Sequence, residues 1–129
     1  MKLNPDCIRS ILLEVEAATD SFHSFRYQNG SGQHKKLDEY TANEILYHVR
    51  QCKANDLIES FQDFNGGDTI LISDLTPKGH EFLAKIRSDT IWNNTKNIAG
   101  KIGTKSLDAM IQIATAVLTE IVKAQIGLM

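Results

Sequence analysis

The chain of 129 residues is poor in several features that would narrow its class at once. It has two cysteines, Cys7 and Cys52, each inside sequence of helical character, so a disulfide framework is not implied and reduced, buried thiols are expected, as in the cytoplasm. Its two prolines, Pro5 and Pro77, both stand where helices begin. It lacks an apolar run of the roughly 18 to 20 residues that spans a bilayer. The opening Met1-Lys2-Leu3-Asn4-Pro5-Asp6 also lacks the apolar centre of a signal peptide, so secretion is not expected. Nor is there an excess of positive charge: 14 basic against 16 acidic residues leave a formal net charge of -2, which gives no general attraction to a phosphate polymer.

Chemical motifs are equally scarce. His23, His34, His48, His80 and the two cysteines form no Cys-x-x-Cys or His-x-x-x-His pair, so no metal ligation is expected. Gly30-Ser31-Gly32 and Gly66-Gly67 match neither a nucleophile elbow nor a phosphate-cradling loop and are read as turns. A non-enzymatic protein without a cofactor is the expectation.

What is present is a clear succession of elements. Asn4-Pro5 starts a helix whose Ile8, Ile11, Leu12 and Val15 form one apolar stripe, fading near Thr19. Phe22 to Tyr27 suggests a short edge strand, followed by a polar loop from Gln28. Gln33 to Tyr40 has room for only a turn or two of helix. Thr41-Ala42-Asn43-Glu44 is a capping box, and Ile45, Leu46, Val49 and Cys52 carry an apolar stripe through a helix from about Ala42 to Ala54. Two runs of strand-formers around Asn65-Gly66-Gly67-Asp68 predict a hairpin. Thr76-Pro77 opens another helix, with Phe82, Leu83 and Ile86 inward, reaching toward Trp92. Residues 93–105, with Gly100 and Gly103, read as a hinge or weak helix, and Ser106 caps a last helix.

Helix, strand, helix, hairpin, helix is the order of an α+β winged helix-turn-helix, with the hairpin as wing and the preceding helix as reader. The expected division is a winged-helix domain over 1–92, the hinge or weak helix over 93–105, and an added C-terminal helix over 106–129. Met1 to Arg9, Ile45-Leu46-Tyr47-His48-Val49, and Leu75-Thr76-Pro77-Lys78-Gly79 through Arg87 followed by Trp92 resemble an uncharacterised family of small winged-helix-type proteins of Gram-positive bacteria and their phages. The resemblance implies a fold and a phage or prophage origin, and carries no activity with it.

In a groove-reading helix, Asn43, Tyr47, Arg50, Gln51 and Lys53 are the outward residues and the DNA-binding candidates. The wing opposes that reading: it carries Asp63 and Asp68 and no basic residue from Phe61 to Leu75, a composition that phosphates repel and that suits a protein partner instead, such as a host protein. On the last helix Leu107, Met110, Ile111, Ala114, Val117, Leu118, Ile121 and Val122 form an apolar face that requires a cover. Homodimerisation or packing back on the chain is favoured for it over membrane binding through Trp92, Lys96, Lys101 and Lys105.

Overall fold

The computed structural model describes residues 1–104 and 106–127. Within them lie five α-helices and a three-stranded antiparallel sheet, a mixed α+β architecture. The chain divides into two compact units, Met1–His80 and Glu81–Met129.

In the first unit α1 (Pro5–Ala18) begins where Asn4 accepts the Asp6 N–H on its side chain, and buries Cys7, Ile8, Ile11, Leu12 and Val15. β1 is Phe25–Gln28, shorter than the sequence suggests. The three residues lost are taken by a turn: the Asp20 carboxylate accepts the N–H groups of Phe22 and His23, which leaves Phe22 92% exposed. Those bonds, the Phe22 N–H first and the His23 ring second, hold the Asp20 carboxyl below its usual range. Between β1 and the next helix there is one 3-10 turn, Lys35–Leu37, with Leu37 buried as its anchor.

α2 (Ala42–Ala54) has the full capping box, Thr41 and Glu44 exchanging side-chain-to-backbone bonds of 3.1 Å. β2 (Phe61–Phe64) and β3 (Thr69–Ile72) form the expected hairpin, and the strand order is β1-β3-β2. Phe25 and Phe61 both pair with Ile72, while Tyr27 and Asp63 both pair with Ile70. Cross-strand partners share a face, so Phe61 and Asp63 lie on the face of the buried Ile70 and Ile72, and Phe64 lies on the other, 49% exposed.

α3 (Pro77–Ile86) explains its own opening motif. The Thr76 hydroxyl accepts the Gly79 N–H at 2.9 Å and donates to the Asp56 carbonyl, so one side chain caps the helix and ties it to the loop after α2. Gly79 is required by space: a Cβ there would stand 2.0 Å from the Leu57 carbonyl oxygen.

The helix expected to reach Trp92 ends at Ile86, because Ser88 caps a new one, α4 (Asp89–Ile102). Much of the segment read as hinge or weak helix is thus ordered helix, closed by Gly103 at φ 83°, in the left-handed region where glycine is unstrained. Of that segment, Lys105 lies outside the described residues. Ser106 caps α5 (Leu107–Gln125), and α4 and α5 pack together in the second unit.

Candidate nucleic-acid interface

α2 presents three distinct strips, set by 100° per residue. Ile45, Val49, Cys52 and His48 face the core. Ala42, Leu46, Arg50 and Lys53 face the hairpin, which lies along the helix: a Cβ on Gly67 would meet Leu46 at 3.1 Å and the Ala42 carbonyl at 3.3 Å. Further along, an Arg50 guanidinium nitrogen sits 3.5 Å from an Asp63 carboxylate oxygen, and the Lys53 ammonium donates to the Glu59 carbonyl at 2.9 Å. Asp63 reaches Arg50 because strand alternation turns it to the inner face of the sheet.

The five candidate residues therefore separate. Asn43, Tyr47 and Gln51 share an outward ridge, Asn43 exposed and the other two half-buried. Arg50 and Lys53 border it on the hairpin side, each already engaged, although the Arg50 side chain keeps 60% of its surface open. The acidic hairpin lies against the helix, and its Asp63 compensates Arg50. Lys35 and Lys36, on the 3-10 turn, are further exposed cations of this unit.

His48 has a role that sequence reasoning missed. Its ring is 1% exposed, Nδ1 lies 2.6 Å from the Glu44 carbonyl, and Nε2 accepts the Asn4 backbone N–H at 2.8 Å. One donor and one acceptor are satisfied by the neutral ring with its proton on Nδ1. The bond joins the cap of α1 to α2 across 44 positions, a separation with no local signal in sequence. His34 is the counterpart: Nδ1 is 3.2 Å from a Glu14 carboxylate oxygen and Nε2 is 2.7 Å from the Arg26 carbonyl, so both nitrogens face acceptors. It pins the return of the Gly30-Ser31-Gly32 loop to α1 and β1.

Both thiols are free and buried. Burial pushes the Cys7 thiol up to about 12, helped by Glu44 and Glu39, and burial raises Cys52 further still. Among the described residues no group of three His, Cys, Asp or Glu side chains could hold a metal ion.

In the second unit Leu107, Met110, Ala114 and Val117 of α5 are buried. Ile111, Leu118 and Ile121 are half-buried and Val122 is exposed. Trp92 is 2% exposed with Lys96 over its ring, so the tryptophan is an interior residue and not an interfacial anchor. Among the described residues no helix is long and apolar enough to cross a membrane.

Residues 2–105 match the family described as Hypothetical protein (DUF2513). The chain is also 34% identical over 122 residues to an uncharacterised protein of Haemophilus influenzae, covering 93% of this chain and 98% of that one. The chain belongs to this family. No solved structure matches it.

Proposed function

We propose that the first unit is a winged helix that binds DNA through α2, as a regulatory protein of phage or prophage origin. The observation that carries this reading is the placement of α2: it precedes the hairpin of a sheet ordered β1-β3-β2 and turns a ridge of Asn43, Tyr47 and Gln51 outward with the Arg50 guanidinium at its edge. Amide and guanidinium side chains are the types that read base edges bidentately. Lys35 and Lys36 are the exposed cations available for phosphates. Fluorescence anisotropy with a labelled random duplex tests it. Binding at low salt that weakens steeply as salt rises, and about tenfold weaker binding by Arg50→Ala, are expected. Absence of binding at low salt overturns the reading.

A second reading, a non-enzymatic module that binds a protein, is favoured by one specific observation. Asp63 neutralises Arg50 from within the chain, beside an exposed Phe64 on a hairpin without a basic residue. Aromatic and acidic side chains together make an ordinary protein-binding surface. The two readings diverge on Asp63→Asn: loss of the carboxylate strengthens DNA binding and weakens a protein contact that uses it.

A further inference from the structure

The α4–α5 pair of the second unit has a second apolar side beyond the seam that joins the two helices. A groove of about 580 Å³ runs along it, floored by Ile98, Ile102, Ile113, Ala116 and Val117. Ile102 is 66% exposed and Ile98 38%. The groove coincides only in part with the face that the apolar rhythm of α5 suggests, since Val117 and Ile121 belong to both while Ile113 and Ala116 lie outside that rhythm.

The groove's two charged residues lie at opposite ends. Lys101 is next to the last residue of α4, at the loop joining the helices, and pairs with none of the described residues. Glu120 is thirteen residues into α5, which places it about 20 Å along the helix from that loop. Among the described residues it meets Lys123, a neighbour on its own helix, in an exposed contact of 3.7 Å. A groove that is apolar along its length, positive at one end and negative at the other is complementary to a reversed copy of itself.

We propose that this groove is the interface of a homodimer in which two α4–α5 pairs pack face to face, antiparallel, as a four-helix bundle. A two-fold axis in the interface and across the groove reverses the partner, so each Lys101 comes to the end that holds the other chain's Glu120, and both ion pairs form together. The other two-fold choice, along the groove, stacks like charges at both ends. Asn94 and Asn97 lie on the rim, where a polar border surrounds the apolar floor. The assembly does not depend on DNA binding; where both hold, it presents two α2 helices at once.

Analytical ultracentrifugation of the full chain, wild type and charge-reversed, tests the arrangement, with circular dichroism confirming equal helix content. The wild type sediments as a dimer at micromolar concentration. Lys101→Glu and Glu120→Lys each weaken the dimer about tenfold, because each reversal sets like charges together at two symmetric places. The double variant Lys101→Glu/Glu120→Lys recovers wild-type affinity. A monomeric wild type overturns the proposal, as does sedimentation of a monomer with anionic vesicles. A dimer indifferent to the single reversals, or not rescued by the double one, overturns the antiparallel arrangement. A DNA-binding failure with the swap intact leaves the dimer standing and removes only the reader.

Discussion

The two units handle charge in opposite ways. Along α2 the cations are spent inside the chain, Arg50 on Asp63 and Lys53 on the Glu59 carbonyl. Along the α4–α5 groove the opposite charges are held apart, with Lys101 unpaired among the described residues. A pair closed within one chain lowers that surface's pull on an outside charge, whereas separated ends gain only when a second molecule arrives. On the proposed reading, the first surface needs an intramolecular contact loosened before its full charge acts on DNA, whereas the second offers its separated charges directly to the proposed second copy.

The largest effect expected is on the platform that carries the first surface. Gly79→Ala drives a methyl group into the Leu57 carbonyl, and the rigid junction of Thr76, Asp56 and Leu57 leaves it nowhere to go. A loss of about 3 kcal/mol or more in urea unfolding is expected. A loss below 1 kcal/mol, on the order of an ordinary surface substitution, contradicts the close approach.

An intermediate effect comes from pH, again confined to groups of the first unit. Cys7, Cys52 and Tyr40 are all raised, chiefly by burial, the tyrosine to about 12. Each therefore keeps its proton in the folded state after the unfolded chain has released it. Above the ordinary thiol value of 9.0 the folded state binds more protons than the unfolded one, so stability falls as pH rises and is fully present below that value. The melting temperature should decline from pH 9 upward, and Cys52→Ala should reduce the slope of that decline whatever it does to the neutral-pH value. An equal slope in both proteins counts against burial as the cause.

Much of the local structure is legible in the sequence because its determinants are adjacent. The Asn4-Pro5 start, the Thr41 and Glu44 box, the Asn65 to Asp68 turn and the Ser106 cap each draw on residues within four positions. The break between α3 and α4 was missed because apolar spacing runs through Ile86 to Trp92, and only the Ser88 cap interrupts it. Long-range contacts carried no signal. His48 with Asn4, His34 with Glu14, and Gly79 against Leu57 join positions whose approach depends on the whole unit. The α2 ridge was half legible: helical spacing identified all five side chains, but that Arg50 meets Asp63 of β2 follows from strand register, and that Lys53 meets the Glu59 carbonyl follows from the path of the chain after α2. The groove on α4–α5 was hidden because half of it belongs to a segment read as hinge or weak helix.

The smallest change to the fold gives the most direct test of α2 as a DNA reader. Asp63→Asn removes one exposed ion pair, worth about 0.5 kcal/mol or less to stability, and frees Arg50. Duplex binding by anisotropy at several salt concentrations, compared with the wild type, should show higher affinity at every salt and a steeper fall with salt, as expected for one more cation on the phosphates. Unchanged or weaker DNA binding by Asp63→Asn contradicts the account.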